Sequence, residues 1–197
     1  EPVAMFFANE YGTDVAIFGN LIRGEFHFMP VSEIGIVNTW QGLVSFEYKD
    51  RMNLVDKDGL LADVLRDIPA ETPDNNTPDT IEWMAQALLN MLLFIKNVLQ
   101  RGELVHAHHL FGTLHRFLLW LIRIRCRVMK HWESPTKKLE QDIPEVWYAR
   151  YRETVPALEE ASMQESLTAA FTTAGLLFRE LDVPKDLLLL LERIAGE

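Results

Sequence analysis

Three residues of mixed chemistry alternate within "NLIRGEFHF", Asn20 to Phe28: Arg23, Glu25 and His27. A strand turns successive side chains to opposite faces. Extended backbone here therefore puts the cation, the carboxylate and the imidazole on one face, with Phe26 and Phe28 on the other. A carboxylate on such a face can act as general base toward a hydroxyl, a step worth about 10²–10⁴-fold in rate. It must be ionised to do so, which a neighbouring cation or metal favours. The bland alternative is a solvated face on which Glu25 pairs with Arg23. His27 either contacts a substrate, or fills space and makes one hydrogen bond. Arg23 either binds phosphate, orients Glu25 or forms a plain ion pair.

Other polar groups invite weaker readings. "HAHH" supplies His106, His108 and His109, with His115 farther on. Metal-binding helices place ligands at i and i+4 on one face. These histidines do not share a face well, so a solvated or partner-facing side of a helix is expected. Arg116, Arg123, Arg125, Arg127 and Lys130 make the end of the same helix basic, which complements its dipole; Arg123 and Arg127, one turn apart, are a candidate phosphate pair. Asn90 and Lys96 interrupt an otherwise apolar helix and must be hydrogen-bonded or face a cavity. Trp83, Trp120, Trp132, Trp147 and Tyr148 are expected in cores or interfaces.

These residues need elements to hold them. Glu1 to about Asp67 is strand-like. Val3–Ala8 is apolar on both faces and reads as a central strand. "NEYGT" is a hairpin turn with Gly12 at positive φ. Asp14–Phe18 returns, Asn20–Leu21 turns again, and Ile22–Met29 follows as the third strand. Ser32 can cap a short helix toward Trp40. A short strand is expected over Met52–Val55, then a turn at Asp56–Gly59 into a helix, Leu60–Asp67.

"PAETPDNNTP" (69–78) reads as a linker, after which the texture is helical. Thr77 is an N-cap with Pro78 at the first helical position. The first long helix runs to about Arg101 and stops at Gly102; it is apolar around most of its circumference, as expected of a bundle's central helix. The second runs from Glu103 to about His131. A short element follows toward Asp142, then Glu145–Val155. Met163, Leu167, Ala170, Phe171, Ala174, Leu177, Phe178 and Leu181 make a clean stripe. Lys185–Ala195 is the last helix. Short loops between such helices favour an up-and-down bundle.

Composition narrows the function classes. The chain has 197 residues, 48% hydrophobic, and a formal net charge of −10. That acidity argues against general nucleic-acid binding, which needs clustered cations. The single cysteine, Cys126, forms no internal disulfide and no Cys-rich zinc site. The most apolar long stretch, 81–99, carries Glu82, Lys96 and three amides, so no membrane span is expected. The location expected is cytoplasmic. Exposed aromatics and two strongly apolar helices lead us to expect a homodimer. The chain opens almost directly into an apolar run, and a missing N-terminal part is expected.

The segment "NEYGTDVAIFGNLIRGEFHF", Asn9 to Phe28, resembles the corresponding part of the two-domain lincosamide nucleotidyltransferases, antibiotic nucleotidyltransferases of the polymerase-β-like superfamily. "NVLQRGE", Asn97 to Glu103, is similar to the same family. The resemblance implies an α+β chain. Residues 1–68 would be the remainder of a nucleotidyltransferase domain with a partial mixed sheet. A linker, 69–78, would follow, then an all-α up-and-down helical bundle, 79–197, for substrate binding and dimerisation. The implied activity is transfer of AMP from ATP to a hydroxyl of a small-molecule antibiotic, a lincosamide, with Mg2+ as cofactor. Glu25 would be the third carboxylate of the active centre, catalytic and a possible metal ligand, with Arg23 and His27 as substrate or phosphate neighbours. One departure is clear. No Gly-Ser turn followed by a D-x-D/E pair precedes Glu25, and "DKDGL" at 56–60 follows it in a turn. The other metal ligands are thus absent from this chain, which is expected to be inactive alone. An aminoglycoside nucleotidyltransferase, or a non-catalytic helical module binding a substrate or partner, are the alternatives.

Overall fold

The computed structural model describes residues 1–40, 46, 48–69 and 75–196. They fall into two compact units. The first comprises residues 1–40 and 49–68; the second comprises residues 69 and 75–196 with Phe46 and Tyr48. The expected linker lies partly outside the described residues, at 70–74.

The first unit opens with β1 (Val3–Ala8), β2 (Asp14–Phe18) and β3 (Arg23–Phe26), hydrogen-bonded in that order. Both pairings are antiparallel, where a mixed sheet was expected. The first turn forms as its residues dictate. Asn9 Oδ1 accepts from the backbone N–H of Tyr11 (3.0 Å) and Thr13 (2.9 Å), and Gly12 takes φ 75°. Such an Asx turn needs little else to fix a hairpin. In the second turn Asn20 Oδ1 accepts from Ile22 N–H, and Leu21 takes φ 62°.

The expectation that β1 is central does not hold among the described strands. β2 is the middle strand, with Val15 and Ala16 buried, whereas β1 is an edge whose Val3, Met5, Phe6 and Phe7 are 42–60% exposed. An apolar run records what a strand can cover, not whether a neighbour covers it. The third strand is also shorter than expected and ends at Phe26.

After a 3-10 helix (Val31–Trp40) come α1 (Lys49–Met52) and α2 (Leu60–Asp67). The strand expected over Met52–Val55 is absent: Met52 ends α1, and the chain then folds back onto the start of α2. Asp56 Oδ2 drives this by accepting from Ala62 N–H (2.8 Å) and Asn53 Nδ2 (3.3 Å). At the other end of α2, Lys49 Nζ donates to the carbonyls of Arg66 (3.1 Å) and Ile68 (2.8 Å). The two α2 ends thus acquire the charges that the helix dipole favours.

The second unit is built on long helices: α3 (Pro78–Gln100), α4 (Leu104–Cys126), α7 (Glu160–Glu180) and α8 (Lys185–Gly196). Between α4 and α7 lie the short α5 (Leu139–Asp142) and α6 (Glu145–Glu153). Thr77 caps α3 by accepting from Thr80 N–H. Gly102 at φ 74° ends it, with Gly102 N–H on Leu99 O and Glu103 N–H on Val98 O. That tight stop sends α4 back along α3. Ala85, Leu88, Leu92 and Ile95 of α3 meet Ala107, Leu114, Leu118 and Leu121 of α4 in one core, with Met163, Ala170, Ala174 and Leu177 of α7. Burial of each large aliphatic group stabilises by about 1.5–3 kcal/mol. α7 packs against α3, α4, α6 and α8, so it shares with α3 the central place expected of α3. No described helix is long and apolar enough to cross a membrane.

α4 stops five residues before His131, where its end was expected. Arg127 takes φ 56° and its N–H meets Ile124 O, while Val128 N–H meets Arg123 O. A left-handed cap ends a helix, and without glycine or asparagine there the sequence does not advertise it.

Candidate functional site

β3 places Arg23 and Glu25 on one face, as strand alternation requires, opposite Ile17 and Val15 of β2. Arg23 Nη2 donates to Glu25 Oε1 at 2.6 Å, with side chains 53% and 46% exposed. Glu25 Oε2 has no partner among the described residues. The structure therefore brings Arg23 and Glu25 together as an exposed ion pair, whose intrinsic contribution to stability is about 0–1 kcal/mol. His27 lies one residue past the strand, exposed, and makes no hydrogen bond or ion pair among the described residues. On the other face the Phe26 ring covers Gly24, within 2.8 Å of where a Cβ would sit, and stacks on Phe28 at 6.5 Å.

A metal ion would need more donors than this. Among the described residues no group of three or more His, Cys, Asp or Glu side chains could hold one, and the one carboxylate on β3 is engaged by a guanidinium. The described residues therefore do not form a magnesium site. Asp56, the first acid of "DKDGL", is committed elsewhere. The Ala62 amide, aided by the Leu61 and Gly59 amides and Asn53, outweighs burial and holds its carboxyl below the usual range.

The other polar candidates resolve into packing. His106 Nδ1 lies 3.0 Å from Glu103, which Arg101 and His106 together hold at about 2. His115 is largely buried beneath Phe111 and Tyr151, and its Nε2 lies 2.8 Å from Thr154 O. Burial pushes its pKa down despite that bond, so the neutral ring donates from Nε2. Lys96 Nζ donates to Ile194 O at 2.6 Å and so completes the end of α8. Trp120 stacks on Trp132 and donates to its carbonyl, and Trp147 is buried.

The candidate phosphate pair Arg123 and Arg127 is not one. Arg123 is fully buried. Its Nε donates to Pro135 O (3.0 Å), its Nη1 to Lys130 O (2.7 Å) and its Nη2 to Lys137 O (3.0 Å). Both terminal nitrogens also reach Asp142 Oδ2, at 3.1 and 3.2 Å. All five guanidinium N–H groups are used inside the protein. His131 Nδ1 adds a 2.8 Å contact to the same oxygen. This knot pins residues 130–142 against α4. Sequence reading missed it because nothing distinguishes the one inward arginine among the five cations toward that helix end.

Residues 77–195 match the family described as lincosamide nucleotidyltransferase-like, C-terminal domain. The chain belongs to this family. The match spans α3 to α8, so the helical unit corresponds to the C-terminal domain of this family. Among curated proteins, none matches the chain significantly.

Proposed function

We propose that this nucleotidyltransferase-family chain serves transfer of AMP from ATP to a hydroxyl of a lincosamide antibiotic, in the cytoplasm and as a homodimer. The observation that carries the reading is the family match over residues 77–195. The Asn9–Phe28 resemblance adds Glu25 as the base. Glu25 Oε2 would take the acceptor hydroxyl's proton as that oxygen attacks the α-phosphorus and pyrophosphate leaves, while Arg23 holds Oε1. A positioned base of this kind supplies about 10²–10⁴-fold. Magnesium, the cofactor expected of such enzymes, supplies charge neutralisation at the phosphates when bound. Glu25 would be one ligand for it, and among the described residues no group of three or more His, Cys, Asp or Glu side chains could complete the site. The remaining acids and the triphosphate turn would come from polypeptide beyond these 197 residues.

Sequencing the gene on the 5′ side of the Glu1 codon tests this. A Gly-Ser turn and D-x-D/E pair in frame are expected; a start codon directly before Glu1 would end the reading. Because the family match lies wholly in the helical unit, a non-catalytic module that binds the drug or a partner is the second reading. Mass spectrometry of a lincosamide incubated with ATP, Mg2+ and the complete gene product separates the two. An adduct heavier by AMP supports catalysis, and unchanged drug that nevertheless binds supports the module. An adduct on an aminoglycoside but not on a lincosamide would reassign the acceptor.

A further inference from the structure

A groove of about 460 Å³ runs along α7 between α6 and α8. That volume lies within the range of small-molecule sites, roughly 300–1,000 Å³. Its floor is apolar: Phe171 and Leu176 are half-buried and Leu191 is buried. Its walls carry two guanidinium groups and one carboxylate, a local excess of positive charge on a chain of net charge −10. Arg179 is occupied. It donates to Glu192 at 3.1 Å and to Gly175 O at 3.4 Å. Arg150 is not: half-buried at the groove, it has no hydrogen-bond or ion-pair partner among the described residues. The hydroxyl hydrogens of Thr168 and Thr172 are spent on the carbonyls four residues back. Anion recognition in the groove therefore falls to Arg150.

A guanidinium that borders an apolar floor and has no partner among the described residues keeps its donors free to take an anion from solution, while its stem covers apolar surface. A planar fork of donors fits a carboxylate in a two-point bond. We propose that this groove is a binding site for a small apolar carboxylate, its acid group on Arg150 and its hydrocarbon body on Phe171, Leu176 and Leu191. The ligand is recognised by its carboxylate and not by an acceptor hydroxyl, so the site does not depend on the activity proposed above. Glu192 sets its affinity by competing for Arg179.

The probe is 4-phenylbutyrate, titrated calorimetrically into the full chain, with 4-phenylbutyramide as the neutral isostere and inorganic phosphate as a bare anion. The acid is expected to bind about ten- to a hundredfold more tightly than the amide, the span of a charge-assisted hydrogen bond. Phosphate, lacking the apolar body, is expected to bind more weakly than the acid. Arg150→Gln should cost a similar factor with an unchanged far-UV spectrum, and Glu192→Gln should tighten binding severalfold by releasing Arg179. Equal binding of acid and amide, unaltered affinity in Arg150→Gln, or phosphate binding as tightly as the acid would overturn the proposal. Should Arg150→Gln not fold, the Glu192→Gln arm decides, and no tightening there counts against it.

Discussion

Arg23–Glu25 and Arg123–Asp142 use the same two functional groups in opposite settings. The first pair is short, 2.6 Å, but half-exposed and joined by one hydrogen bond. The second is longer, 3.1 and 3.2 Å, yet Arg123 is fully buried and also holds three backbone carbonyls. Distance alone would rank them wrongly. Water competes for the first pair at every moment, whereas removing one member of the second leaves acceptors buried with no donor. The exposed carboxylate is free to meet a substrate, and the one on buried Arg123 is committed to holding a loop.

The sharpest way to break this comparison is to delete Arg123. Arg123→Ala should cost about 3–5 kcal/mol, the range for breaking a buried pair, seen as a lower midpoint in guanidinium unfolding followed by circular dichroism. A loss of under about 1 kcal/mol would put the two pairs in the same class. The next effect is acid sensitivity. Burial pushes the Asp142 carboxyl up, but hydrogen bonds from His131 and Arg123 outweigh it and hold it below the usual range. A depressed carboxylate stabilises above its unfolded value, about 3.9, and that contribution is lost as pH falls from there through the folded value. Stability of the helical unit should therefore drop below about pH 4, and Asp142→Asn should flatten that part of the profile. An unchanged slope in Asp142→Asn would assign the sensitivity to other groups. The smallest effect belongs to the sheet: Glu25→Gln should shift stability by no more than about 1 kcal/mol, and a larger loss would mean Glu25 is structural.

How far these differences could be read in advance depends on how local their causes are. Thr77 and Pro78 announce the start of α3, Gly102 announces its end, and the α7 stripe is visible because its buried face repeats every three or four residues. Gly12 and Asn9 likewise define their turn without outside help. The early stop of α4 was not legible, because it rests on a left-handed arginine, and the adjoining loop is held by acceptors seven to nineteen residues from Arg123. The false strand at Met52–Val55 has the same origin: Asp56 is drawn to an amide six residues on. At the site, alternation placed Arg23 and Glu25 correctly on one face, but the choice of Glu25 over any other exposed carboxylate came from resemblance. Arg150 passed unnoticed because an arginine without a partner looks, in sequence, like one with a partner.

The most direct test of the account is the rate of AMP transfer by the complete gene product carrying Glu25→Gln, measured in a single turnover with ATP, Mg2+ and a lincosamide. We expect a fall of about 10²–10⁴-fold with the unfolding midpoint nearly unchanged. A variant that transfers AMP at the parent rate would contradict the assignment of Glu25 as the base.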